Sequence, residues 1–310
     1  MPPWLGFILV FLFAAAILVF LTSILMARRM LRPPRMTDGK AAWILKRLSP
    51  GDLGLTFENL VFQVQDDRDH KKLNVAAWWI PHPEARGRCA VLVHGYADAK
   101  VGVIAWAPTF HDLGWSILTP DLRAHGESDG QIATAGYFER HDLNQIINQL
   151  KAQRPKDTER IVLFGVSYGA AVVAATAALR DDIEAVILDC PFADYRTAAM
   201  SWADQFGLPG PPFQRLALKL AAKMARADFT SIRPADLIAQ ISCPLMVIEG
   251  RDDPMNSPAD VAAIASAISQ RQRNHLRTLH WKVLDGGHLT ALPDNPQLYR
   301  QQIAAFLKDS

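Results

Sequence analysis

Two stretches of the chain space a serine between glycines as Gly-x-Ser-x-Gly: Gly165-Val166-Ser167-Tyr168-Gly169 and Gly126-Glu127-Ser128-Asp129-Gly130. The chemistry this spacing can serve is nucleophilic attack. A chain that reverses sharply from strand to helix strains its turn residue, and the flanking positions must then lack a Cβ. The serine hydroxyl is held out of the sheet, beside helix N–H groups that can receive negative charge. Context separates the two candidates. Ser167 follows an apolar, β-forming run at 161–164 and precedes a small-residue, helix-forming stretch at 170–179, so strand, turn and helix come in order. Ser128 lies several polar residues past the nearest apolar run and leads into Gln-Ile-Ala-Thr-Ala-Gly. It reads as a loop residue, and Ser167 is the candidate nucleophile.

A serine hydroxyl is a weak nucleophile until a base takes its proton. His288 stands after Asp285-Gly286-Gly287 at the end of the apolar run 280–284, a position from which an imidazole can reach across a sheet. An acid that accepts the other ring N–H would hold the tautomer, and two acids qualify. Asp252 and Asp253 both follow the run 244–249 through Gly250-Arg251. The resulting order, Ser then Asp then His, is that of one hydrolase scaffold and of neither principal protease arrangement. Further back, Val91-Leu92-Val93-His94-Gly95-Tyr96 puts a glycine turn just past a strand, where a backbone N–H can face a developing oxyanion. The charges of the loop 121–130 read as ties that hold it down. His111 and His141 each precede Asp-Leu in helical stretches and read as surface or capping residues. The chain has no His-Glu-x-x-His and no paired-cysteine spacing, so neither a metal nor another cofactor is expected.

These residues need a scaffold that gathers them. Apolar runs at 89–93, 115–119, 161–164, 185–189, 244–249 and 280–284 are separated by helix-length stretches. That rhythm predicts a mostly parallel sheet with helices on both faces, its working residues in loops beyond the carboxyl ends of the strands. Runs at 55–65 and 73–80, joined by the polar turn 66–70, predict an antiparallel hairpin at one edge and bring the sheet to eight strands. Between 191 and 243, two helices are expected at 194–206 and 213–227, split by Gly207-Leu208-Pro209-Gly210-Pro211-Pro212. Trp202, Phe206, Leu208 and Phe213 in this insertion either line an acyl pocket or pack the insertion onto the domain.

The first 27 residues carry no charged side chain. As a helix, residues 5–26 span roughly 33 Å, against a hydrocarbon core of about 30 Å. The basic residues Arg28, Arg29, Arg32 and Arg35 come after the segment, the reverse of a cleaved signal peptide. An uncleaved, single-pass anchor is expected, with the following domain on the cytoplasmic side. The organisation read from this is an anchor at 1–27, a juxtamembrane linker at 28–54 and a catalytic domain at 55–310, whose insertion covers about 192–240. With 33 basic and 31 acidic residues, the net charge of +2 does not point to nucleic acid. Cys89, Cys190 and Cys243 each adjoin an apolar run and read as buried free thiols.

Residues from about 55 to 308 resemble an α/β-hydrolase, particularly the serine aminopeptidase-like or prolyl-oligopeptidase-like subgroup. The resemblance rests on His94-Gly95-Tyr96, Asp121-Leu122-Arg123-Ala124-His125-Gly126-Glu127-Ser128, Gly165-Val166-Ser167-Tyr168-Gly169, Gly250-Arg251-Asp252-Asp253 and Gly287-His288. It implies a catalytic set of Ser167, Asp253 and His288, because the family's acid is the last residue of Gly-x-x-Asp. It also implies an oxyanion hole made by the backbone N–H groups of Tyr96 and Tyr168, and a cap over the site at the 191–243 insertion. Tyr168 departs from the Met or Gln frequent there, which touches pocket shape and leaves the N–H in place. The activity expected is hydrolysis of a carboxylic ester or thioester, with a small-molecule or lipid-like acyl substrate and the membrane as the other partner. A peptidase acting on amides would share the residues but would need an acidic group for the substrate's amine. A non-catalytic module would be marked by loss of one of the three, and all are present.

Overall fold

Successive side chains along the strand Arg160–Val166 go to opposite faces of the sheet, and both faces are covered. Ile161 and Leu163 join one apolar core, while Val162, Phe164 and Val166 join the other. A strand buried on both sides reads as uninterrupted apolar sequence, which is why this run stands out in the chain.

The computed structural model describes residues 3–308. Its strands are β1 (Glu58–Gln65), β2 (Lys72–Ile80), β3 (Arg88–Val93), β4 (Ser116–Pro120), β5 (Arg160–Val166), β6 (Ala185–Asp189), β7 (Leu245–Gly250) and β8 (Thr278–Val283). They form one eight-stranded sheet in the order β1-β2-β4-β3-β5-β6-β7-β8. β2 pairs antiparallel with both β1 and β4, and the remaining pairs are parallel. This is the α/β-hydrolase fold. The longer helices are α1 (Pro3–Leu31), α2 (Asp38–Ile44), α3 (Glu139–Gln153), α4 (Tyr168–Ala177), α5 (Tyr195–Gln205), α6 (Pro211–Ala225), α7 (Pro258–Arg273) and α8 (Pro296–Lys308). α3 and α4 cover one face through Leu143, Ile146, Ile147, Ala170 and Val173; α8 covers the other through Tyr299, Ile303 and Phe306. α5 and α6 are the two expected helices of the insertion.

α4 lies against the sheet because Gly169, in its first turn, has no side chain where it meets the end of β3. A Cβ on Gly169 would stand 2.3 Å from the Val93 carbonyl oxygen, and one on Gly165 would stand 2.4 Å from the Gly169 carbonyl oxygen. Backbone cannot yield as a flexible side chain can. Gly169→Ala is therefore expected to cost about 3 kcal/mol or more, read as a lowered melting temperature or as insoluble protein. Gly207→Ala, at φ +63° but with nothing within 4 Å, should cost only about 1 kcal/mol. Equal losses for the two would contradict this packing account.

α1 is long and apolar enough to cross a membrane, and most of it is exposed. It continues past the expected boundary at residue 27 to Leu31, and its last turns belong to the globular part. Ser23, Met26, Ala27 and Leu31 recur at helical spacing and are buried against the domain. The Ser23 hydroxyl donates to the Phe213 carbonyl on α6 at 3.2 Å. The segment read as a linker is likewise tied down. The Arg35 guanidinium donates to the carbonyls of Gly126 (2.7 Å), Ser128 (2.7 Å) and Gly130 (3.0 Å). Local composition conceals this, because the carbonyls that hold Arg35 lie some ninety residues away.

Candidate active site

Ser167 sits between β5 and α4 with φ 51° and ψ −115°, a conformation an L-residue adopts only under constraint. Its own N–H donates to the Asp189 carbonyl at 2.8 Å, which pins the turn to β6. The second serine, Ser128, is buried in the loop after β4. Its hydroxyl donates to the Asp121 carbonyl at 2.7 Å and accepts from the Ala76 N–H at 2.9 Å, so it is a loop tie.

The ends of β7 and β8 bring the other two residues to the same place. A Cβ on Gly250 would stand 2.3 Å from the Gly287 carbonyl oxygen, so these two turns touch backbone to backbone. The Asp252 N–H donates to the Gly286 carbonyl at 3.0 Å, and the Gly287 N–H donates to the Thr290 hydroxyl at 2.9 Å. His288 then lies with Nδ1 2.8 Å from Asp253 Oδ2 and Nε2 2.9 Å from Ser167 Oγ. An ionised carboxylate only accepts, so Nδ1 carries the proton and Nε2 is free to accept from the serine hydroxyl. The other oxygen of Asp253 accepts from the Met255 N–H at 2.8 Å. Asp252 points to solvent beside Arg251. The tertiary contact thus separates two acids that adjoin in sequence.

His94 holds the turn opposite. Burial pushes its pKa down to about 4, so the ring is neutral in the fold. Nε2 accepts from the Leu122 N–H at 2.9 Å, which leaves Nδ1–H to donate to the Gly95 carbonyl at 2.7 Å. A Cβ on Gly95 would be 3.9 Å from that of Ser167, so the 94–96 turn flanks the serine. The side chains of the two candidate oxyanion residues point elsewhere. The Tyr168 hydroxyl accepts from the Ala135 N–H at 2.6 Å and donates to Glu139 at 3.2 Å. This fixed, buried phenol accounts for a Tyr at that position. The Tyr96 hydroxyl donates to the Arg29 carbonyl at 3.0 Å, in the last turn of α1. Sequence reading missed this bond, and nothing local to Tyr96 signals it.

Ser167 and His288 face a cavity of about 340 Å³. Its apolar wall includes Met30 of α1, Phe192, Tyr195, Trp202 of α5 and Leu289. Of the four insertion residues singled out in the sequence, Trp202 borders this cavity, Phe206 and Leu208 lie farther out, and Phe213 packs against the core. The loop 121–130 is held by charge, as expected. Asp121 accepts from the Lys100 ammonium at 2.7 Å, and Arg123 is paired with Asp66 and Asp142. Cys190 comes near Asp253 and His288, their ligand atoms lying within 4.8 Å of one another. Burial, then the Asp189 charge, push its thiol well above the ordinary range.

A family model for the alpha/beta hydrolase fold matches residues 91–213. Together with the sheet order, this shows that the chain has the α/β-hydrolase fold. YqkD of Bacillus subtilis, described as an uncharacterized protein, is 27% identical to it over 223 residues, covering 70% of each chain. The quorum-quenching protein AidA of Acinetobacter baumannii is 30% identical over 143 residues, covering 44% of this chain and 46% of AidA. Among solved structures, the Pyrococcus furiosus esterase Pf2001 superposes with a TM-score of 0.69 at 22% identity, covering 91% of this chain and 98% of the esterase. That likeness is one of fold.

Proposed function

We propose that the protein is a membrane-tethered serine hydrolase that cleaves a carboxylic ester or thioester. The observation that carries this reading is the hydrogen-bonded line from Ser167 through His288 to Asp253 at 2.9 and 2.8 Å. Ser167 Oγ bonds to the substrate carbonyl carbon while its proton passes to His288 Nε2 and the carbonyl π electrons move onto oxygen. The N–H groups of Tyr96 and Tyr168 hold that oxyanion; a donor of this kind is worth roughly 3 kcal/mol. As the tetrahedral carbon collapses, the bond to the leaving group breaks and His288 returns the proton to it. Water then repeats the sequence on the acyl-enzyme, releasing the acid and restoring Ser167. Asp253 keeps the ring oriented and balances its charge. The Pyrococcus protein that shares this fold is an esterase, which agrees with this bond type. α1 supplies the tether, and Arg28, Arg29, Arg32 and Arg35 just after the apolar span favour a cytoplasmic catalytic domain.

One observation favours an amide as the second reading. Asp98 borders the cavity, its buried Oδ1 has no hydrogen-bond partner among the described residues, and burial raises its pKa to about 6. Ionised at neutral pH, it could hold a substrate's ammonium group. p-Nitrophenyl esters and aminoacyl p-nitroanilides assayed side by side decide the matter. The ester is expected to turn over at least about 100-fold faster; a p-nitroanilide that wins, and whose turnover falls in Asp98→Asn, would make the protein a peptidase.

A further inference from the structure

The catalytic cavity does not end at the cap. A groove of about 920 Å³ shares Met30, Tyr96, Ala199 and Trp202 with it, so the two adjoin at these side chains. Leu25 and Met30 of α1 form one side of this groove; Phe206 and Leu208, at the end of the cap helix α5, form the other. Phe206 is 65% exposed and Leu208 39%, which is costly in water for side chains of this size unless something apolar covers them.

α1 shows where the open end of the groove lies. Phe7, Leu9, Val10, Phe11, Leu12 and Phe13 are all exposed, whereas Ser23, Met26, Ala27 and Leu31 are locked into the domain. The exposed stretch 4–21 is about 27 Å long, close to a hydrocarbon core of about 30 Å. The groove begins just beyond it, with Thr22 and Leu25, and Arg28, Arg29 and Arg32 border it at the level lipid phosphates would occupy. Because α1 is docked onto α6 rather than strung on a free linker, this height is fixed.

We propose that the substrate is a long-chain acyl ester of the bilayer itself, whose alkyl chain lies in the groove between α1 and the cap while its carbonyl reaches Ser167. This deepens the serine-hydrolase reading and rests on it. The anchor helix is then a wall of the binding site as well as a tether. Tyr96 fixes that wall by donating to the Arg29 carbonyl, one residue before the Met30 side chain that borders both spaces.

The test uses the full chain in phospholipid nanodiscs, with p-nitrophenyl acetate and p-nitrophenyl palmitate as probes. Two variants are compared with the wild type. Met30→Trp fills the junction between cavity and groove, and Phe206→Asp with Leu208→Asp charges the groove at exposed positions that folding tolerates. Wild type should prefer palmitate, and the palmitate-to-acetate ratio of kcat/KM should fall at least ten-fold in either variant whose melting temperature is retained. The exposed pair keeps the test decisive if Met30→Trp does not fold. A wild type that cleaves acetate without preferring palmitate, or a ratio that falls less than ten-fold in every folded variant, overturns the groove and leaves the serine chemistry standing. A wild type that cleaves neither ester and takes up no fluorophosphonate removes both.

Discussion

Ser167→Ala is expected to lower kcat for p-nitrophenyl ester hydrolysis by about 10⁶-fold, with the melting temperature within about 3 °C of wild type. The size of the loss follows from what is removed. Without Oγ there is no acyl-enzyme, and attack must come from an unpositioned water. The small effect on stability follows from what remains. Oγ contributes the hydrogen bond to His288, worth about 1 kcal/mol. The turn itself is held by the Ser167 N–H bond to Asp189 and by Gly165 and Gly169, none of which the substitution touches. Steady-state rates on purified protein check the first number and thermal melts the second. A loss below about ten-fold would remove Ser167 from the reaction.

His288→Ala should cost about as much as Ser167→Ala, and the double substitution should cost no more than either alone. The three groups act on one proton in sequence: Asp253 fixes Nδ1–H, Nε2 is thereby free, and Nε2 takes the proton from Oγ. Remove either the hydroxyl or its base and the remaining group has nothing to act with. Independent contributions would instead multiply, so a double variant far below both singles would show that the two residues do not share a step. Asp253→Asn should lose less, about 10⁴-fold, because the ring stays near the serine in the wrong tautomer.

Much of this site was legible because its signals are local. Gly165 and Gly169 stand where a Cβ would strike backbone, and a backbone that close has to be spelled with glycine wherever it occurs. The burial of 161–166 on both faces of the sheet required an apolar run. His288 and the acids followed from their places just after such runs. The choice of Asp253 over Asp252 had no local signal of its own, since it depends on the Gly250 turn touching Gly286 and Gly287. The dual character of α1 was harder still. Up to residue 27 its composition is that of a membrane span, and only the docking of Ser23, Met26, Ala27 and Leu31 shows that its last turns belong to the domain. The sequence points to Tyr96 only through its backbone N–H, whereas its hydroxyl grips the end of α1, a partner sixty-seven residues away.

The central claim is that Ser167 is an activated nucleophile, and covalent labelling addresses it most directly. The full-length protein is incubated with a fluorophosphonate probe, digested and read by mass spectrometry. The account predicts one adduct, on Ser167, lost when His288 is replaced by alanine. An adduct on Ser128, or none at Ser167 in folded protein, would contradict it.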